Sequence, residues 1–246
     1  MSRESVDVVV VGSGPNGLAA AVTMARAGLS VQVLEAQPTV GGGARTLDLG
    51  LAPGLIHDIC SAVHPMALAS PFLREFDLRS RGVHLAVPEV SYAQPLADGR
   101  AGLAWHDLEL TVDGLGVDGP AWRSLMQPLV KHSDLVVALA MGDKRSLPPE
   151  LFDGVGGIAG ALAFARALVE QGTRGWNARF SDDVAPALLT GVAAHAIAPM
   201  PGLAPAGTAL LLGALAHAKG WPVPVGGSQA ITDALVRDLE ANGGQV

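Results

Sequence analysis

The first 35 residues constrain the fold more than any other part of the sequence. Asp7–Val11 is a β-branched apolar run that ends at Gly12. Gly14–Ala27 has apolar residues at helical spacing and is followed by Gly28, a residue that favours a helix C-terminus. Ser30–Glu35 then has the composition of a second strand. This order predicts a βαβ unit with parallel strands, of which the first is buried.

The turn between the first strand and the helix, residues 12–17, has the pattern G-x-G-x-x-G, and the second strand ends in the acid Glu35. In this setting Gly12 allows a tight turn, Gly14 lets a pyrophosphate approach the backbone, and Gly17 lets the helix pack closely on the strands. The N–H groups and the dipole at the helix start attract phosphates. Glu35 can accept hydrogen bonds from an adenosine ribose, and its charge disfavours the 2′-phosphate of NADP. The pattern predicts a dinucleotide site.

A second glycine-rich segment, Thr39–Thr46, favours FAD over NAD as the dinucleotide. It contains three consecutive glycines followed by Ala44, Arg45 and Thr46. A simple NAD dehydrogenase has no need for this element, whereas large flavoproteins place glycine backbone and an arginine beside the dinucleotide. Arg45 suits a pyrophosphate because its guanidinium is planar and permanently charged. An NAD-dependent dehydrogenase remains the alternative enzyme class.

Residues 12–46 resemble the FAD fingerprint of the glutathione-reductase-like superfamily, in its amine-oxidase and phytoene-desaturase branch. Two later segments resemble phytoene-dehydrogenase-related proteins: His57–Pro65 with Ser70–Phe72, and Gly220–Ile231. The resemblance extends over essentially the whole chain. It implies an α/β fold in which a discontinuous Rossmann-like FAD-binding domain holds an inserted, mostly helical substrate domain. The implied boundaries are 1–82 for the first part of the FAD-binding domain, 83–222 for the substrate domain and 223–246 for the return.

The same resemblance implies an FAD-dependent dehydrogenase or desaturase that acts on a small apolar substrate, with polyenes among the candidates. The flavin would carry the redox chemistry. No catalytic residue is assigned; His64 is a weak candidate for a substrate-facing role, and a packed histidine is the favoured interpretation. The predicted cofactor contacts are Gly12, Gly14, Pro15, Asn16, Gly17, Glu35, Ala36, Gly42, Gly43, Arg45 and Thr46.

Members of this family are longer than the present chain, which ends at Val246. A strand should begin there, after the predicted helix Ser228–Ala241, for which Ser228 is the N-cap candidate. We therefore expect a fragment or a truncated reading frame, and we expect the isolated chain to bind FAD weakly or not at all. A non-catalytic dinucleotide-binding fragment is accordingly the second alternative to an active oxidoreductase.

Charge and composition argue against several other classes of protein. The net charge of −7 disfavours a nucleic-acid partner, which needs a basic surface. Val184–Ala218 contains no charged residue, but four prolines divide it, so buried helices are favoured over membrane contact. The start of the chain lacks the features of a signal peptide, and we expect a cytoplasmic location. The histidines have no metal-ligand spacing, so no metal site is predicted.

The single cysteine, Cys60, is predicted to be a small buried residue, and His195 and His217 are predicted to be packed core histidines. Beyond the first βαβ unit the sequence predicts further strands over Val83–Val87, Ser91–Pro95 and Gly102–His106. The further predicted helices are Ser70–Phe76, Pro120–Met141, Val155–Gln171, Asp182–Ala196, Ala206–Lys219 and Ser228–Ala241.

Overall fold

The computed structural model describes residues 5–143 and 145–246. The strands are β1 Val8–Val11, β2 Val31–Leu34, β3 Thr46–Leu47, β4 His57–Asp58, β5 Leu85–Ala86, β6 Val90–Pro95, β7 Ala101–Trp105 and β8 Val223–Pro224. The α-helices are α1 Pro15–Arg26, α2 Pro65–Ala69, α3 Pro71–Phe76, α4 Leu108–Gly114, α5 Gly119–Lys131, α6 Ser133–Met141, α7 Gly154–Gly172, α8 Val184–Ala193, α9 Leu203–Ala218 and α10 Gln229–Ala241. Short 3₁₀ segments cover Gly42–Ala44, Gly116–Asp118, Pro149–Phe152 and Ala194–Ala196.

The chain divides into two units. Unit 1 consists of the residues up to 67 together with 71–86 and 222–246, and unit 2 consists of residues 68–70 and 87–221. The G-x-G-x-x-G turn lies in unit 1, and the helices α4 to α9 lie in unit 2. The assignment of a cofactor role to one part and a substrate role to the other remains a prediction.

A parallel sheet organises unit 1. Strands β1 and β2 run parallel, with Val8 opposite Val31, and α1 connects them as the sequence predicts. After α10 the chain returns to the sheet, where Gln245 forms a parallel bridge with Gln32. Gln245 donates its N–H to Val31 at 3.0 Å and accepts the N–H of Val33 at 2.8 Å. The chain therefore rejoins the sheet after α10 at the expected place, through a single bridge residue.

Helices α1 and α10 pack on the same face of this sheet. Leu18 of α1 and Leu235 of α10 are completely buried there, together with Val31 and Val33 of β2. On the opposite face Val9 is 53 % exposed and Val11 is 84 % exposed. The prediction of a buried first strand is therefore wrong. The side chains of β1 alternate between a covered and an open face, because within the described residues both helices lie on one side.

A buried carboxylate holds α10 against α1. Asp238 is 7 % exposed and accepts two hydrogen bonds from Arg26, at 2.7 and 2.9 Å, and a third from Arg81. Both guanidinium groups lie over the ring of Phe76. Hydrogen bonding from Arg26 lowers the pKa of Asp238, although its burial acts in the opposite direction. The cluster fixes the helix that closes unit 1 to the helix that follows the G-x-G-x-x-G turn.

Two short antiparallel pairs complete unit 1. Strand β3 pairs with β4, with Thr46 opposite Asp58. Strand β5 pairs with β8, so the strand predicted over Val83–Val87 is reduced to its two-residue centre. The β5–β8 pair joins segments that are distant in sequence. The start of α10 lies close to the second glycine-rich segment, where Gln229 donates its N–H to the Thr46 hydroxyl.

Unit 2 combines a hairpin with a layer of helices. Strands β6 and β7 form an antiparallel hairpin, and the helices pack around α9, in which Leu210 and Leu215 are completely buried. The uncharged segment 184–218 forms α8 and α9, as predicted. Among the helices in the described part of the chain, none has both the length and the apolar character needed to cross a bilayer.

The helical structure predicted over Pro120–Met141 is present, but it is divided into two helices, α5 and α6, a break that the sequence did not predict. The backbone leaves the helical conformation at His132, where φ is −115° and ψ is 36°. The His132 ring packs against Gly160 of α7, and a Cβ at Gly160 would come within 2.7 Å of that ring. This contact between distant residues gives the break a reason that sequence periodicity does not contain.

The two histidines expected in the core of unit 2 differ. His217 is 6 % exposed, donates from Nδ1 to the carbonyl of Trp105 at 2.8 Å and accepts from Trp122 Nε1 at 3.2 Å. These bonds require the neutral ring, and burial lowers the pKa of His217 to about 4. His195 is exposed with its ring edge toward Trp221, so the core interpretation is right for His217 and wrong for His195.

Candidate dinucleotide-binding site

The turn at residues 12–17 has the geometry that close backbone packing requires. Gly12 has a φ of +95°, and its N–H donates to the carbonyl of Leu34 at 2.7 Å. A Cβ at Gly17 would lie only 2.2 Å from the carbonyl oxygen of Gly12. Gly14 is the N-cap of α1, no side chain caps this helix start, and Pro15 and Asn16 open its first turn. The turn therefore leaves backbone donors at a helix N-terminus without a side-chain acceptor.

The second glycine-rich segment lies directly against this turn. The N–H of Gly41 points at both the carbonyl and the hydroxyl oxygen of Ser13, at 3.1 and 3.2 Å. Gly42 has a φ of +55°, and a Cβ on it would lie 2.8 Å from the Cα of Gly14. Gly43 follows and is exposed. The structure thus brings together two segments that are separated by a helix and a strand in the sequence.

Glu35 ends β2 and is tied to the same turn. Its Oε2 accepts hydrogen bonds from the N–H of Ser13 at 2.9 Å and from the Ser13 hydroxyl, and its Oε1 accepts the N–H of Gln37 at 2.8 Å. These hydrogen bonds, led by that of the Ser13 hydroxyl, lower the pKa of Glu35 to about 2. Glu35 therefore stays ionised at neutral pH. Ala36, the next predicted contact, is exposed beside it.

Arg45 stands at the end of the short 3₁₀ turn at Gly42–Ala44. Its Nε donates to the carbonyl of Gly42 at 2.9 Å, which holds the guanidinium against the second glycine-rich segment. Within the described ranges 5–143 and 145–246, its Nη1 and Nη2 make no hydrogen bond or ion pair. The half-buried arginine therefore brings positive charge and unused donors to the site.

Thr46 belongs to a separate network that anchors the start of α10. Its hydroxyl donates to Asp58 at 2.5 Å and accepts the N–H of Gln229 at 3.0 Å. Asp58 also accepts the N–H of Ser228 at 2.8 Å, so carboxylate and hydroxyl together satisfy the first donors of this helix. The start of α10 is therefore already capped. A Cβ at Gly227 would come within 2.4 Å of Thr46, which leaves space there only for glycine.

His64 and Ser228 form the inner part of this network. Ser228 is completely buried; its hydroxyl donates to the carbonyl of Ser61 at 2.6 Å and pairs with His64 Nε2 at 2.7 Å. Because the single hydroxyl proton goes to Ser61, Nε2 of His64 must carry the proton in their shared bond. Burial lowers the pKa of His64, and the Asp58 carboxylate partly offsets this effect. His64 thus acts as a packed donor, while the Ser228 side chain does not itself cap α10.

Cys60 lies beside the second glycine-rich segment. It is exposed, so the prediction of a buried cysteine is wrong. Its Sγ would be 3.6 Å from a Cβ on Gly43, and the N–H of the next residue, Ser61, donates to the carbonyl of Gly43 at 3.0 Å. The His57–Pro65 segment therefore forms one wall beside residues 41–45.

The chemistry available in this cluster is that of anion and hydroxyl recognition. It offers an uncapped helix N-terminus, an arginine with unused donors and an ionised carboxylate. In the part of the chain that the structure describes, no three histidine, cysteine, aspartate or glutamate side chains are grouped as metal ligands. These features match the phosphates and the ribose of a dinucleotide.

Comparison with known proteins agrees with this geometry. Residues 10–76 match the model of a family described as the NAD(P)-binding Rossmann-like domain. Over 91 residues the chain is 36 % identical to the thiamine thiazole synthase of Saccharolobus solfataricus, which corresponds to 37 % of this chain and 31 % of that protein. The α/β fold class with a Rossmann-like βαβ unit is confirmed.

Solved structures extend the likeness to the whole chain at the level of the fold. A putrescine oxidase variant matches with a TM-score of 0.54 and 20 % identity, over 98 % of this chain and 50 % of that one. Cyclohexylamine oxidase from Brevibacterium oxydans IH-35A gives 0.53 and 19 %, over 98 % and 51 %. The CLA-producing fatty acid isomerase from P. acnes gives 0.52 and 19 %, over 100 % and 52 %. The chain has the fold of these proteins and spans about half their length, so the predicted amine-oxidase likeness is confirmed as a fold.

Of the residues predicted from the sequence, the structure gathers the glycines of both loops, Glu35 and Arg45 around one turn. Thr46 instead has its hydroxyl committed to the anchor of α10. Sequence reasoning missed Ser13, which joins three elements, and Asp58, which caps α10. Ser13 lies inside the glycine motif at a position where no residue type is demanded, and Asp58 lies outside both glycine-rich segments, so neither role has a signal in the sequence.

Proposed function

We propose that this chain binds FAD and forms the dinucleotide-binding part of an FAD-dependent oxidoreductase of the dehydrogenase or desaturase type. The observation that carries the proposal is the contact between the two glycine-rich segments, where a Cβ on Gly42 would lie 2.8 Å from the Cα of Gly14. An adenosine diphosphate group fits a cradle built of backbone donors, and the FAD-type second segment provides Arg45 at its edge.

Each predicted contact has a definite part in this proposal. The pyrophosphate would lie at the start of α1, with Pro15, Asn16 and Gly17 in its first turn. Arg45 would add charge from the second segment. Glu35 and the adjoining Ala36 would face the adenosine ribose, and the ionised carboxylate would repel the extra phosphate of NADP. The residues of the structure therefore fit the adenosine diphosphate half of FAD.

The redox reaction and the substrate are proposals for the whole protein. When bound, the flavin supplies the redox chemistry by accepting a hydride or its equivalent. The chain's own residues bind and orient the dinucleotide, and the part predicted over 83–222 would contact an apolar substrate, with polyenes as candidates. The similar structures include a putrescine oxidase and a fatty acid isomerase, so the fold is used with different substrates, and the likeness does not select a substrate for this chain. A cytoplasmic location remains a prediction.

Competition binding with the purified chain tests the proposed cofactor. We expect ADP to bind at the turn of residues 12–17 and FAD to displace it only weakly, in keeping with the expectation that the isolated chain holds FAD poorly. FMN should leave ADP in place, because FMN lacks the adenosine half. NADP should compete less well than NAD because of Glu35. Displacement by NAD but not by FAD would favour the NAD-dependent dehydrogenase, and failure of every adenosine ligand to bind would refute the dinucleotide site.

A further inference from the structure

Ser13 is the second residue of the G-x-G-x-x-G turn, a position where the motif demands no particular side chain. It is completely buried although it is polar. Its hydroxyl and its N–H both donate to Oε2 of Glu35. The same hydroxyl oxygen accepts the N–H of Gly41. One side chain therefore joins the turn, the end of β2 and the second glycine-rich segment.

The donors and acceptors of this arrangement can be counted. A carboxylate offers about four acceptor positions, two on each oxygen. Ser13 fills both positions on Oε2 of Glu35, while the N–H of Gln37 fills one on Oε1. The remaining acceptor capacity is therefore on Oε1. Without the Ser13 hydroxyl, Oε2 would keep only one backbone donor, and the carboxylate could rotate so that either oxygen is presented.

We infer that Ser13 is a positioning residue for ribose recognition: its hydroxyl fixes Oε2 of Glu35 so that Oε1 receives the 2′-hydroxyl of a nucleoside diphosphate. The inference rests on the proposed function, because it assumes that an adenosine diphosphate group lies on this turn. It extends the proposed function because it makes Ser13, which would not contact the sugar, responsible for the preference for a ribose over a 2′-deoxyribose. A serine that served only to hold the two loops together would not affect this choice.

The test compares ADP with 2′-deoxy-ADP in calorimetric titrations of the full chain. For the unmodified chain we expect ADP to bind about tenfold more tightly, the effect of one hydrogen bond to a charged acceptor. In Ser13→Ala this ratio should fall toward one, mainly through weaker ADP binding. Ser13→Gly removes the same hydroxyl without adding a side chain and should give the same result, which guards against a fold defect in one variant.

Two further variants make the result specific. Glu35→Gln removes the charge of the acceptor and should by itself bring the ratio of ADP to 2′-deoxy-ADP affinity close to one. Adding Ser13→Ala to Glu35→Gln should then change this ratio no further. Ser30→Ala is the matched control, because the Ser30 hydroxyl also donates to a carboxylate, that of Asp7 at 2.7 Å, away from the turn. It should leave the ratio unchanged.

The outcomes separate this inference from the proposed function. Equal weakening of both ligands in Ser13→Ala, with an unchanged ratio, would show that Ser13 is only structural and would overturn the inference alone. A ratio of one in the unmodified chain would overturn it as well, while leaving a dinucleotide site in place. Absence of ADP binding in the unmodified chain would overturn the proposed function and the inference together.

Discussion

Substitution of Gly42 by alanine tests the loop contact on which the proposed site depends. Gly42 has a φ of +55°, a left-handed conformation that costs a non-glycine residue about 1 kcal/mol. The added Cβ would also lie 2.8 Å from the Cα of Gly14. Carbon atoms pack at about 3.5–4.0 Å, so the two loops must move apart. Such overpacking costs about 1–3 kcal/mol. Gly42→Ala should thus lower the free energy of unfolding by about 2–4 kcal/mol.

Gly50→Ala provides the matched control, since Gly50 has a similar φ of +67° but no atom within 4 Å of the added Cβ. It should lower the free energy of unfolding by only about 1 kcal/mol. Urea unfolding of both variants gives the two free energies, and titration with ADP gives the affinities. We expect ADP affinity to fall in Gly42→Ala and to persist in Gly50→Ala. Equal destabilisation with ADP affinity retained in both would refute the close approach of the two loops.

Three further predictions follow from separate parts of the structure. Gly14→Val should abolish ADP binding, because its branched side chain would occupy the phosphate position; retention of ADP in a titration would show that the phosphates lie elsewhere. Leu235→Ala should lower the free energy of unfolding in urea by about 2–5 kcal/mol, since Leu235 is completely buried, whereas Leu49→Ala, at a residue 50 % exposed, should change it by less than about 0.5 kcal/mol. The pKa of His217 is about 4 in the folded chain against an ordinary value of 6.5, so the unfolded chain takes up the proton first and stability falls as pH drops from 6.5 toward 4. Urea unfolding should show a loss of up to about 3 kcal/mol across that range, and His217→Gln should remove most of this slope.

The start of the fold could be predicted because its signals are local. The apolar run of β1, the glycine turn and the helical spacing of α1 each act over a few residues, and all three indicate the same βαβ unit. The return of the chain to the sheet at Gln245 could be expected for the same reason, since α10 is amphipathic and needs a sheet to cover. The two glycine segments were recognised individually by residue type and spacing.

The parts that could not be predicted depend on contacts between distant residues. The exposure of Val11 follows from both helices lying on one face of the sheet, and the break at His132 follows from its contact with Gly160. Neither fact is encoded in the local pattern of apolar residues, which can specify a strand or a helix but not what covers it. Cys60 shows the same limit, because a small apolar residue has no local mark of exposure.

The residues of the candidate site also differ in whether local sequence or distant contacts determine their roles. Glycines can be assigned from sequence because their roles are requirements of the backbone: a Cβ on Gly42 would intrude on the backbone of Gly14. Polar residues cannot be assigned in this way, since a serine or an aspartate has many uses and only its partners select one. Ser13 holds Glu35 and Gly41 at once, and Asp58 caps a helix 170 residues later in the chain. The glycines of the proposed cradle are therefore marked by local sequence, while the proposed ribose selectivity depends on which carboxylate oxygen the fold leaves open.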